Sequence, residues 1–318
     1  MNPAEDGTLE NDCNCLHLPY LDGASFSGYR AKPWPVPENA EMGIPANATV
    51  TFRGIKNLDA AVDFALAHGM DKATELVVTG GSAGGLSTFL HSDRIKRRAE
   101  AGAPALAKVR AAPVVGYFLD HDNYAHTDGY SPDGSGGPNT AQWSTPGTGA
   151  NYTMWMKYVY AMQNMTFGDD GGLTAACQAK HPDSPHLCFM SPHMQDVIET
   201  PFFMFNSKYD AWQLGNEFQS AWTTKDEQDG VLQYGIDFME QLAPVYATGA
   251  ETKHGGMITS CICHGCPWAT LELDGKLTYQ HYADWFYGKT TGAASMHIDA
   301  RLPNGNGTLT DPRCSKFP

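Results

Sequence analysis

The chain has 318 residues, 42% of them hydrophobic, enough to bury a substantial core in one large domain. Its 35 acidic and 21 basic side chains leave a formal net charge of -14 with no long run of one sign, which argues against duplex nucleic acid as a partner. No run approaches the roughly 18 apolar residues of a membrane span.

Residues 1–50 are rich in Pro, Gly, Asn and Asp without a sustained period and read as loops with a short strand or two. From Phe52 to Met70 the residues Ile55, Leu58, Ala61, Val62, Ala65 and Leu66 mark one face of an amphipathic helix, stopped at His68-Gly69. Leu76, Val77 and Val78 then predict a buried strand, which breaks into Gly80-Gly81-Ser82-Ala83-Gly84-Gly85. Leu86, Phe89, Leu90 and Ile95 follow at helical spacing. This is the G-x-S-x-G pattern on a strand, turn and helix, which leaves the serine exposed on a sharp elbow. Ser82 is therefore a candidate nucleophile. Ala83, directly after it, is a candidate oxyanion donor through its backbone N–H. The competing reading is a tight turn whose serine merely caps the helix.

Ala111–Leu119 predicts a second buried strand, and strand, helix and strand at this spacing imply a parallel sheet with crossover helices. Residues 122–151 form a long polar loop, in which Tyr124, His126, Tyr130 and Trp143 are candidates to line a substrate groove. Tyr152–Met165 reads as a core helix, and Cys177 and Cys188 bracket a loop suited to a local disulfide. Phe202–Phe205 predicts a third strand, just past which lies Asp210, at the sheet edge where α/β proteins build their sites. Leu214–Leu242 looks helical with interruptions, a helix is expected near Tyr279–Phe286, and residues 288–318 read as an irregular tail.

A serine hydroxyl needs a base, and the base an orienting carboxylate. Ser82, Asp210 and His264 stand in the order Ser, acid, His, with separations compatible with an acid after a late strand and a histidine in a following loop. Cys261, Cys263, His264 and Cys266 are also zinc-ligand types, but four ligands within six residues crowd a tetrahedral site, so no metal or other cofactor is expected. Asp120 and Asp122 loosely resemble the start of a calcium loop, but without glycine at its sixth position they read as a strand-end turn. Eight cysteines and sequons at Asn47, Asn151, Asn164 and Asn306 point to an oxidising, secretory compartment, although the N-terminal residues have no signal-peptide character.

Five blocks together resemble the pectin acetylesterase family, which also contains the Notum carboxylesterases. They are Asp22–Gly28 (DGASFSG), Phe52-Arg53-Gly54, Gly80–Gly85, Tyr209-Asp210-Ala211-Trp212-Gln213 and Ser260-Cys261-Ile262-Cys263-His264. The resemblance implies an α/β fold, an α/β-hydrolase-like mostly parallel sheet flanked by helices, in one catalytic domain. It also implies a secreted, endomembrane or cell-wall serine esterase with Ser82, Asp210 and His264 as its triad. The expected partner is acetylated polysaccharide or another ester substrate, met by a monomer. Trp212, after the aspartate, looks more like the plant pattern than the Notum one and is a candidate substrate-binding residue. A Notum-like deacylase and an inactive binding module are the alternatives. In the family the histidine is commonly followed at once by cysteine, whereas here Gly265 intervenes before Cys266. The family's Gly-Gly-Trp oxyanion loop precedes the DGASF block, so that loop, the first sheet strands and a signal peptide are all expected upstream of residue 1.

Overall fold

The computed structural model describes residues 13–124, 151–220, 222–246 and 252–301. Its centre is a five-stranded, all-parallel sheet of β3 (Glu75–Gly81), β4 (Lys108–Val114), β5 (Phe203–Ser207), β6 (Gly255–Thr259) and β9 (Met296–Ile298), ordered as in the chain. Two antiparallel ribbons stand outside it: β1 (Trp34–Pro35) with β2 (Thr49–Val50), and β7 (Glu272–Leu273) with β8 (Lys276–Leu277). The helices are α1 (Gly54–Ala67), α2 (Ala83–Gly102), α3 (Tyr152–Met162), α4 (Ala175–Lys180), α5 (Ser191–Met194), α6 (Ala211–Asn216), α7 (Lys225–Tyr246) and α8 (Thr278–Phe286). Parallel strands need such crossovers, because a tight turn cannot bring the chain back in the same direction. The sheet is thus mostly strand–helix–strand, as the spacing of the apolar runs predicts.

Period-2 alternation divides the core between the two faces. On one face Phe202, Met204 and Ile258 meet Leu86, Phe89 and Leu90 of α2 and Tyr234, Phe238 and Leu242 of α7. On the other, Phe203 and Met257 meet Tyr282, Trp285 and Phe286 of α8, with Phe203 5.7 Å from Tyr282 and 5.6 Å from Trp285 between ring centroids. A strand buried on both faces has no polar side to show, which is why Phe202–Phe205 reads as a continuous apolar run.

Four local differences separate the structure from the sequence reading. The second strand is Lys108–Val114, not Ala111–Leu119. Tyr117, Phe118 and Leu119 are as buried as the strand, but their segment is tied down by side chains. The Tyr117 N–H donates to Asn206 Oδ1 (3.1 Å), Leu119 N–H to Gln213 Oε1 (3.3 Å) and Asp120 N–H to Gln241 Oε1 (3.1 Å). Amide side chains here replace a neighbouring strand, satisfying backbone donors that burial would otherwise leave costly. Strand β6 is hidden in the sequence by Gly255 and Gly256, and the reason for glycine is contact: a Cβ at Gly255 would fall 2.7 Å from the Phe203 ring. Within the 288–318 segment read as an irregular tail, Met296–Ile298 forms the edge strand, pairing Ile258 with Ile298. The Leu214–Leu242 region divides into α6 and the longer α7.

Cys177 and Cys188 are disulfide-bonded, Cα atoms 5.7 Å apart, as their spacing predicts. Among the described residues no helix is long and apolar enough to cross a membrane.

Candidate active site

Ser82 sits between β3 and α2 with φ 56° and ψ -120°, a left-handed backbone that a non-glycine residue adopts only under strain. Two close approaches force the turn. A Cβ on Gly80 would lie 2.5 Å from the Gly84 carbonyl oxygen, and one on Gly85 would lie 2.4 Å from the Val114 carbonyl oxygen. Gly84 itself faces open space, so the second glycine of the pattern serves as the surface that Gly80 touches. The Ser82 N–H donates to Val114 O (2.9 Å), fixing the elbow to the neighbouring strand. Ala83 opens α2, and a first-turn N–H has no acceptor within its own helix.

Asp210 follows β5 and is the N-cap of α6. Its Oδ1 accepts from the backbone N–H groups of Trp212 (2.9 Å) and Gln213 (3.1 Å), and it is fully buried. His264 lies in the loop after β6. The two loops are bound together by Ser207, whose Oγ donates to the Cys261 carbonyl and accepts from the Tyr209 N–H, and by the Lys208 N–H to Thr259 O bond (3.1 Å).

The three predicted residues meet in one hydrogen-bonded array. His264 Nε2 is 2.8 Å from Ser82 Oγ, and Nδ1 is 2.9 Å from both oxygens of Asp210. The His264 side chain is 26% exposed while that of Asp210 is at 0%, so the imidazole is open to a substrate and its carboxylate is sealed from water. Such an array can take a proton from a serine hydroxyl and return it to a leaving group. Cys263 and Cys266, on either side of His264, are joined as a disulfide despite the intervening Gly265, and Cys261 is disulfide-bonded as well. These sulfurs are therefore not thiolates that a zinc ion would need.

The Asp22–Gly28 block is built against this elbow. Ser25 (φ 47°) and Phe26 (φ 62°) are strained, Asp22 Oδ2 accepts from the Phe26 N–H (2.9 Å), and Ser25 Oγ donates to Ala83 O (2.9 Å). Burial raises the Asp22 carboxyl above its ordinary range. Beneath lies His91 of α2, with Nε2 2.8 Å from Ser25 O and 3.1 Å from Ser27 Oγ. Burial lowers the His91 pKa to about 4. An unfolded histidine protonates near 6.5, so between pH 6.5 and 4 the unfolded chain holds the extra proton. The stability contributed by neutral His91 is complete above about pH 6.5 and falls by about 3 kcal/mol as the pH drops to 4. Buried His254, lowered to about 3, acts in the same direction. Urea unfolding at pH 7 and pH 5 is expected to show this loss, and His91→Gln, which keeps a donor for Ser25 O, is expected to flatten it. An unchanged slope in that variant would remove His91 from the account.

Trp212 stands beside the array, its ring 6.2 Å from that of His264, and packs edge-on to Phe118 (5.2 Å) and Tyr152 (6.2 Å). Phe118 and Tyr152 complete this wall without having been singled out as site residues, because each reads in sequence as core. Tyr124, a candidate for the substrate groove, packs its ring on Phe218 (5.6 Å) and donates its N–H to Phe218 O. His126, Tyr130 and Trp143 lie outside the described residues. Asp120, at the end of the β4 segment, accepts from His193 Nε2 (2.8 Å) and from Thr153 Oγ1, which holds its carboxyl below the usual range.

The family model described as pectinacetylesterase matches residues 5–133 and 146–308. The chain belongs to that family. Its members are carboxylic ester hydrolases, and that reaction class is the one the chain belongs to. Pectin acetylesterase 11 of Arabidopsis thaliana is 26% identical over 319 residues, covering 93% of this chain and 69% of its own length. Palmitoleoyl-protein carboxylesterase NOTUM of Drosophila melanogaster is 22% identical, over 85% of this chain and 35% of its own. A crystal structure of the Wnt deacylase Notum from Drosophila superposes with a TM-score of 0.67 at 20% identity, covering 89% of this chain and 71% of that one. At that identity the likeness is one of fold, and it supports an α/β-hydrolase-like architecture for this chain.

Proposed function

We propose that the chain hydrolyses short-chain O-acyl esters, O-acetyl groups of a cell-wall polysaccharide above all, through an acyl-enzyme on Ser82. The observation that carries this reading is the unbroken array from Ser82 through His264 to Asp210, at the carboxyl ends of three strands of one sheet. Ser82 Oγ attacks the ester carbonyl as His264 Nε2 takes its proton. The carbonyl oxygen becomes an oxyanion that accepts a hydrogen bond from the Ala83 N–H. His264 then gives its proton to the departing sugar oxygen, which leaves as a free hydroxyl as its bond to the acetyl carbon breaks, with acetyl left on Ser82. Water, deprotonated by His264, attacks that acetyl and releases acetate. Asp210 keeps Nδ1 protonated throughout and stabilises the imidazolium that forms in each half.

Acetyl is favoured over a long acyl chain by the wall beside His264. Phe118, Tyr152 and Trp212 pack on one another there, and on this reading their rings narrow the space left for the acyl group. The disulfides support an oxidising, secretory location.

The test is acetate release from acetylated pectin by the purified protein, alongside p-nitrophenyl acetate and octanoate. Trp212→Ala is expected to raise the octanoate-to-acetate ratio of kcat/KM by roughly tenfold, since each added methylene in an apolar pocket is worth a modest factor. An unchanged ratio would take Trp212 out of the acyl pocket. Preference for octanoate in the unaltered protein would instead favour the lipid-deacylase reading that its NOTUM relatives suggest.

A further inference from the structure

Behind Asp210 lies a second carboxyl group that the hydrolytic array does not use. Glu217 is at the C-cap of α6, the helix that Asp210 begins, and is fully buried. Its Oε2 is 2.9 Å from the hydroxyl of Tyr234 on α7, itself fully buried. The same hydroxyl is 2.9 Å from Gln213 Oε1.

The orientation of Gln213 is set by two backbone groups. Its Nε2 donates to Tyr117 O (3.0 Å) and its Oε1 accepts from the Leu119 N–H (3.3 Å); reversing the amide would face donor to donor and acceptor to acceptor. Gln213 Oε1 can then only accept. A phenol carries one proton, so if Tyr234 gives it to Gln213, the 2.9 Å contact to Glu217 needs a proton from the carboxyl. With Glu217 ionised, Tyr234 would turn to the carboxylate and two lone pairs would face each other across 2.9 Å at Gln213.

Glu217 Oε1 has no hydrogen bond of normal geometry among the described residues, only the weak pull of the Leu119 N–H, which is directed at Gln213. A buried charge with so little support is costly, whereas a neutral acid is not. The charged and titratable groups facing it are the carboxylates of Asp210 and Asp120 and the phenols of Tyr234 and Tyr152, with the His121 ring 4.8 Å from that of Tyr234. The carboxylates repel a second anion, and burial together with that repulsion raises the Glu217 carboxyl well above its ordinary range.

We propose that Glu217 is an un-ionised positioning residue that donates through Tyr234 to Gln213, and so holds the Gln213 backbone N–H on Asp210 without placing a second charge beside it. Resting on the reading of Ser82, His264 and Asp210 as the hydrolytic array, this assigns the α6–α7 contact a part in orienting the acid. The Gln213 N–H to Asp210 Oδ1 bond is the link through which the relay acts.

Infrared difference spectroscopy of the full chain against Glu217→Gln at pH 7 tests it directly. The expected result is loss of one carbonyl stretch of an un-ionised carboxylic acid; loss of a carboxylate band instead overturns the proposal. The pH midpoint of kcat/KM for p-nitrophenyl acetate is expected to coincide in the two proteins, because no charge is removed. A midpoint lower by about half a unit or more in Glu217→Gln would show that a nearby negative charge had been lost, and would also overturn it. Glu217→Leu, which breaks the relay, is expected to lower kcat about tenfold with KM unchanged, and Glu217→Gln to recover most of that loss. Equal kcat in all three proteins would sink the positioning role. If Ser82→Ala retained full activity, the array itself would fall while the infrared result for Glu217 stood unaffected.

Discussion

Alanine in place of Ser82 is expected to lower kcat for p-nitrophenyl acetate by about 10^5-fold or more, to the level supplied by substrate binding and the remaining oxyanion donor. The size follows from the role: without the hydroxyl no acyl-enzyme forms, and His264 has only solvent to activate. Rapid-mixing experiments on the unaltered protein are expected to show a burst of p-nitrophenol, one per chain, when deacylation is slow; the burst disappears in Ser82→Ala. Activity equal to the unaltered protein would end the esterase assignment to this serine. Glycine at the same position separates chemistry from strain. With φ at 56° the backbone suits glycine better than serine, so Ser82→Gly is expected to be as inactive as alanine yet more stable by about 1 kcal/mol in urea unfolding. A protein that gives up stability to expose one hydroxyl is recognised by that pair of results.

The second large effect belongs to Asp210→Asn, expected to reduce kcat by about 10^4-fold while the melting curve changes little. Asparagine is nearly the same shape and caps helices as well as aspartate does, so its Oδ1 can still accept from the Trp212 and Gln213 N–H groups. That cap turns the new NH2 group toward His264 Nδ1, where it favours the tautomer whose Nε2 already carries a proton. Such an imidazole cannot accept from Ser82, and the negative charge that would stabilise the imidazolium is gone. Near-normal turnover would mean that Asp210 does not perform the orienting role.

These two variants probe residues the sequence places in the site, and the reason they are legible there is local. An elbow needs glycine where backbones touch, so Gly80 and Gly85 are written into the chain beside Ser82. An acid after an apolar strand and a histidine in a cysteine-dense loop follow in the Ser, acid, His order of α/β-hydrolases. The strands on either side of these residues are equally plain where their side chains are buried on both faces, as at Phe202–Phe205.

What escapes such reading depends on distant partners. Tyr117–Leu119 has the apolar character of a strand, and only the fold decides that amide side chains of Asn206, Gln213 and Gln241 take the place of a ladder. Met296–Ile298 is too short and mixed to announce itself, and becomes a strand because β6 offers it an edge. Phe118 and Tyr152 are apolar residues anywhere; packing against Trp212 makes them a wall beside His264.

The sequence by itself determined the resemblance to an esterase family, the order of the three candidate residues and the parallel sheet that carries them, because each rests on short motifs, on spacing or on glycine contacts a few residues away. Only the tertiary structure decided the 2.8 Å and 2.9 Å contacts that join Ser82, His264 and Asp210 across separations of 182 and 54 residues. It also decided what surrounds each buried carboxyl once α6 and α7 have packed: the backbone N–H groups of Trp212 and Gln213 at Asp210, and the hydroxyl of Tyr234 at Glu217.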